Sequence, residues 1–270
     1  MLLLTSYFDD SGSDQLSPIT AIGDPTMSKE HFVDFDREWQ KILYQYRIPS
    51  PLHMTDFVRP YGKHIGMRYE MKLALFSALV AAVNKHKLWS VSVAIPQSEF
   101  QFSMTADVRK ELIGPYAFAF FCSVMFSQGV AKKTMRDELV ISYLIDEGSS
   151  FPDQLTSAHS VLVEKERREG GFRHTGAMAF DTDDRVSALQ AADLISWSAR
   201  RRQIDGSLSD EFSVLEGVFD ETSMEPSATQ WRGKHAHIFI PEEGIEMWAK
   251  PIRNWIYVTG KIPSLAEFMR

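Results

Sequence analysis

Basic side chains are in the minority in this chain: 29 lysines and arginines face 36 aspartates and glutamates, a net charge of −7 over 270 residues. That balance argues against a surface that grips nucleic acid indiscriminately, while leaving room for a local basic patch. Cysteine is almost absent. Cys122 stands alone in an apolar run, which excludes an intrachain disulfide and points to a reducing, cytoplasmic setting. Long hydrophobic runs are missing as well. The longest, Ala117 to Phe126, is far short of a membrane span, and Met1 to Leu4 lacks the length and basic flank of a signal peptide, so no membrane association is expected. There is no His-Glu-x-x-His, no Cys-x-x-Cys, no phosphate loop and no Gly-x-Ser-x-Gly elbow. Zinc peptidase, nucleoside triphosphatase and ordinary serine hydrolase chemistries therefore lack their usual parts.

What is present is ample material for a core, with 44% hydrophobic and 12% aromatic residues. No repeat, low-complexity tract or interdomain linker divides the chain. A single domain over 1–270 is expected, its core about 1–202, with 203–270 as a C-terminal extension packed on it. The apolar pattern predicts strands at the N-terminus, at Ser17 to Ile22, Leu88 to Ile95, Leu139 to Ile145 and near Ala177 to Phe180. Helices are predicted from a Ser28 cap to about Tyr46, over Arg68 to His86, Pro115 to Val130, Ser157 to Arg168 and Val186 to Arg202, with a further helix around Asp210 to Phe219. The segment Leu52 to Phe57, after two prolines, reads as extended.

Two apolar strands end in the same way. The first runs into Asp9, Asp10, Ser11 and Gly12, and Leu139 to Ile145 runs into Asp146, Glu147 and Gly148. A carboxylate at the end of a buried strand must be paired or bound to a cation. If the two strands are parallel neighbours, both acids share one sheet edge, where open α/β sheets bind ligands, and a hard divalent cation is the economical way to neutralise them. In the late helix, Leu189, Ala192, Ile195 and Ala199 form a core face, while Gln190, Asp193 and Trp197 follow an adjoining stripe that leaves Asp193 at the border of the core. Basic clusters at Lys165, Arg167 and Arg168 and at Arg200 to Arg202 could touch phosphates, although such clusters are more often solvated helix ends. His235 and His237 would share one face of a strand, which alone does not make a zinc site.

Three of these motifs, Asp9 to Gly12, the strand ending in Asp146, and Leu189-Gln190-Ala191-Ala192-Asp193, resemble the family known as domain of unknown function 3800, whose members look like ribonuclease H-fold proteins. Asp10 departs by one carbon from the Asp-Glu-Ser-Gly usual there. The resemblance implies an α/β fold, a ribonuclease H-like mixed sheet flanked by helices, with helical insertions and a C-terminal extension. By the same likeness Asp9, Asp56, Asp146 and Asp193 form a quartet of acids. His53, Asp10 or Glu147 are alternatives at its middle position, and His53, Glu147 and Gln190 are candidates to support the site or meet substrate. The implied activity is hydrolysis of nucleic-acid phosphodiesters with Mg²⁺ or Mn²⁺, the partner being DNA or RNA. A non-catalytic binding module of the same fold and a phosphoesterase for a small metabolite stay open as alternatives.

Overall fold

Alternation along the first strand sets the architecture. In the computed structural model, which describes residues 2–14, 16–98, 100, 114–134, 139–149, 151–169, 174–219 and 234–240, β1 spans Leu2–Ser11. Successive side chains of a strand point to opposite faces. Phe8 accordingly enters one core, meeting Phe120 edge-on at 5.0 Å between ring centroids, while Tyr7 enters the other and stacks on Phe32 at 5.3 Å. Burying a side chain of this size is worth about 1.5–3 kcal/mol, so the two faces commit the strand to the middle of a three-layer fold.

The sheet grows outward from β1 on both sides. On one side β2 (Ile19–Ser28) and β3 (Trp89–Pro96) follow antiparallel, and β6 (Lys234–Phe239) adds parallel to β3; on the other, β4 (Leu139–Asp146) and β5 (Thr175–Asp181) are parallel. The order is β5-β4-β1-β2-β3-β6. One face carries α1 (Lys29–Tyr46), α3 (Tyr69–His86) and α6 (Ser187–Asp205), whose core includes Trp39, Phe76 and Leu189. The opposite face carries α4 (Pro115–Thr134) and α5 (Pro152–Glu169), around Phe120, Tyr143 and Leu162. A short α2 spans Thr55–Val58, and a 3-10 helix spans Asp210–Phe219. Among the described residues no helix is long and apolar enough to cross a membrane.

Ser28 caps α1 as its position predicts, its Oγ accepting the His31 N–H. Three expectations change. The second strand does not stop at Ile22 but runs through Gly23, Asp24 and Pro25 to Ser28, because it is enclosed between β1 and β3 and its turn-forming residues find partners there. Asp24 accepts the Val91 N–H at 3.1 Å and the Ser123 hydroxyl. Leu52 to Phe57 is not extended throughout, since Thr55 begins the helical turn α2. Asp210 to Phe219 winds as a 3-10 helix packed on α3, where Phe212 meets Phe76 and Trp197. His235 and His237 lie on β6 and serve its seam with β3: His235 joins Ser90 and Ser92, and His237 joins Ser92 and Gln203.

Candidate functional site

The parallel register of β1 on β4 ends at Phe8 opposite Ile145, so Asp9 and Asp146 emerge side by side at one sheet edge. Neighbouring strands lie about 4.8 Å apart. Both acids fall on the face of Tyr7 and Leu144, the face that carries α6. Across the other ladder Asp9 is opposite Gly23. That glycine is where α6 descends on the sheet: a Cβ there would lie 2.6 Å from the Ser196 backbone nitrogen and 2.9 Å from the Ala192 carbonyl oxygen. Only a residue without a side chain admits the helix so closely, and this contact holds Asp193 over Asp9. In α6 every residue from Ser187 to Ala199 is buried except Asp193, which opens to the edge.

The electrostatics follow from that convergence. Loss of water raises the Asp9 carboxyl well above the usual value, and the charges of Asp193, Asp10 and Asp146 push it further the same way. Asp193 is pushed up to about 6, mainly by burial and despite the Met54 N–H it accepts at 2.8 Å. Asp10, on the opposite face of β1, is pushed up to about 6, again chiefly by burial. Asp146 is raised by burial and then by Asp183. Backbone donors fix the rotation of these groups: Asp10 N–H bonds Asp9 at 2.7 Å and Gly148 N–H bonds Asp146 at 3.0 Å.

Gln190 makes this arrangement rigid. It is buried and fully used: Oε1 accepts the Trp39 indole N–H at 2.8 Å and the Leu52 N–H at 3.1 Å, and Nε2 donates to the Asp183 carbonyl at 2.7 Å and to Ser50 Oγ at 3.2 Å. One amide thus fastens α1, the 50–54 loop and the turn before α6. On the fastened loop His53 Nδ1 sits 3.2 Å from Asp183 Oδ2.

Asp9, Asp10, Asp146 and Asp193 therefore come together with His53. Asp56, expected as the middle acid, does not join them. It pairs with Lys63 at 3.2 Å. Asp183, ten residues before Asp193, acts on both Asp146 and Asp193. Glu147 is exposed, its N–H donating to the Asp181 carbonyl. Tyr116, from the first turn of α4, carried no signal in the sequence. It is 1% exposed, and Asp10, Asp9 and Asp146 reinforce the rise that burial imposes on its hydroxyl. Among the described residues neither that hydroxyl nor the neighbouring Ser149 Oγ makes a well-formed hydrogen bond, although the Ser149 side chain is near enough to work against the rise. Of the basic clusters, Arg200 Nε donates to Ser17, Arg201 pairs with Asp205 and Arg202 with Glu216. The side chains of Lys165, Arg167 and Arg168 lie outside the described residues.

The donor set, carboxylate oxygens from three elements, suits a hard divalent cation. Among the described residues, no three histidine, cysteine, aspartate or glutamate side chains are drawn together closely enough, as they stand, to hold a metal ion.

The sheet order and its flanking helices define an α/β protein built on a six-stranded mixed sheet. No protein-family model matches the chain, and no curated protein does. Among solved structures it is similar to the crystal structure of the ribonuclease H2 from Pyrococcus horikoshii OT3, at 11% identity and a TM-score of 0.41, over 97% of this chain and 90% of that one.

Proposed function

We propose that this chain is a metal-dependent nuclease of the family known as domain of unknown function 3800, hydrolysing nucleic-acid phosphodiester bonds at the acid cluster with Mg²⁺ or Mn²⁺. The observation that carries the reading is the meeting of Asp9, Asp146 and Asp193, from two strands and a helix far apart in sequence, with the charges acting on Asp9 all of one sign. Bound there, two such cations supply a polarised water on one side of the phosphodiester and stabilisation of the leaving oxygen on the other.

The protein's own share is to hold the ligands. Asp9 and Asp146 are fixed by their backbone donors, and Asp193 by the Met54 N–H. Asp10 adds a carboxylate from the opposite face of β1, and Asp183 is the nearest replacement for Asp56. His53, 42% exposed and held by Asp183, is offered to substrate at the mouth.

The test is cleavage of labelled DNA and RNA with Mn²⁺ or EDTA, beside Asp9→Asn and Asp193→Asn. Partners of metal ligands typically account for 10–100-fold, so losing a ligand itself should cost more than about 100-fold. The same variants should lose the thermal stabilisation that Mn²⁺ gives the parent. Cleavage equal in parent and variants would sink the reading.

A further inference from the structure

Between α2 and α3 the loop Arg59-Pro60-Tyr61-Gly62-Lys63-His64-Ile65-Gly66-Met67-Arg68 carries three cations and no acid, in a chain whose net charge is −7. Its apolar groups face outward: Tyr61 is 98% exposed, and Ile65 and, just beyond the loop, Tyr69 are nearly half exposed. Arg59, Lys63 and Arg68 are exposed among them.

The loop is also built rather than slack. The His64 N–H donates to the Asp56 carbonyl at 3.0 Å, and its ring lies 4.9 Å from that of the buried Phe57. Lys63 is pinned to Asp56. Gly62 lies so close over the Asp56 backbone that any Cβ would collide with it. Asp56 is two residues from Met54, whose N–H holds Asp193. Each residue adds at most 3.8 Å between Cα atoms, so Arg59, five residues after Met54, lies within about 19 Å of it. At about 3.4 Å per nucleotide along a stacked strand, that is a span of at most about six nucleotides.

We propose that this loop is the strand-binding platform of the site: an unpaired nucleic-acid strand stacks a base on Tyr61 and lays its phosphates on Arg59 and Arg68 as it enters the acid cluster. This rests on the nuclease reading for what happens at the cluster, but binding can be measured apart from cleavage. It names single-stranded segments as the substrate class, because a ring standing in solvent can stack on an unpaired base and not on one enclosed in a duplex. It also locates the positive patch that the overall charge leaves room for, since Arg200, Arg201 and Arg202 are engaged within the fold.

The experiment is fluorescence anisotropy of the full chain carrying Asp193→Asn, with labelled single strands and duplexes of the same sequence, over a salt series. Single strands should bind at least tenfold tighter than duplexes. Tyr61→Ala should weaken that binding about tenfold or more, while Tyr61→Trp retains it. Arg59→Ala combined with Arg68→Ala should flatten the slope of log affinity against log salt by about 1.4. These positions are exposed, so unchanged melting temperatures will show that the variants are folded. Binding unaltered in all three variants, no oligonucleotide binding at all, or binding only to anionic phospholipid vesicles overturns the platform. Cleavage by loop variants at the parental rate and affinity removes the platform and leaves the nuclease; loop-dependent binding without metal-dependent cleavage by the parent chain removes the nuclease and leaves the platform.

Discussion

Replacing Gln190 by methionine tests the central mechanical claim, that one buried amide ties the site together. Methionine keeps nearly the same volume and apolar stem, so the change removes hydrogen bonds with little cavity. Three groups lose their partner together: the buried Trp39 indole N–H and Leu52 N–H, and the half-buried Asp183 carbonyl. Each unmet buried group costs about 1–3 kcal/mol, and because all three losses arise at one side chain they do not add fully. A total of about 3–5 kcal/mol is expected, within the 5–15 kcal/mol by which such domains are stable, so the variant still folds. Urea unfolding should report that loss as a lower midpoint with an unchanged slope, and the melting temperature should fall by about 10 °C. The second consequence is local. With the 50–54 loop and the Asp183 turn loosened, the Met54 N–H leaves Asp193 and His53 leaves Asp183, so metal-dependent cleavage should fall more than the folded fraction does. A Gln190→Met protein within about 1 kcal/mol of the parent would refute the reasoning, because the four bonds would then be replaceable by water.

Gly23→Ala should destabilise by about 1–3 kcal/mol, since the new methyl meets the backbone of α6, and should shrink the thermal shift given by Mn²⁺ as Asp193 is lifted from Asp9; calorimetry with and without Mn²⁺ reads both. Asp24 titrates the other way from a salt-bridged acid. Burial raises its folded-state value well above the ordinary 3.8, so its contribution is fully present below about that pH and is lost as pH rises toward the folded value. Asp24→Asn keeps an acceptor for the Val91 N–H and offers its amide N–H to the Ser123 hydroxyl, so the variant should gain on the parent progressively as pH rises above about 4, by at most about 1.4 kcal/mol per unit; a gap that is constant with pH in urea unfolding contradicts this. Tyr116→Phe removes a buried hydroxyl that makes no well-formed hydrogen bond among the described residues, and should leave stability equal or higher by up to about 1 kcal/mol; a loss above 1 kcal/mol would mean that the hydroxyl is bonded to Ser149 in solution.

Much of this molecule is legible without coordinates because the informative patterns are local. The apolar run Leu139 to Ile145, the Ser28 cap and the core face of Leu189 to Ala199 each determine an element from a handful of neighbours, since strand and helix geometry repeat every two and 3.6 residues. The acids at Asp9, Asp146 and Asp193 stood out for a related reason: a carboxylate next to a buried run must be compensated wherever the chain goes.

Which acids meet was decided by tertiary structure alone. Nothing within β1 or β4 says that they are parallel neighbours, and nothing in Gly23 alone says that a helix from 170 residues later rests on it. Asp56 and Asp183 are both acids near the site, one in the short helix α2 and one in the turn before α6; Lys63 takes the first, while the amide of Gln190 draws the second into the site. Tyr116 was one aromatic residue in an apolar helix until the sheet order set the first turn of α4 beside Asp10. Local geometry is dictated by neighbours in the chain, whereas the compensation of a buried charge depends on which partners folding brings within a few ångströms, and that depends on every element at once.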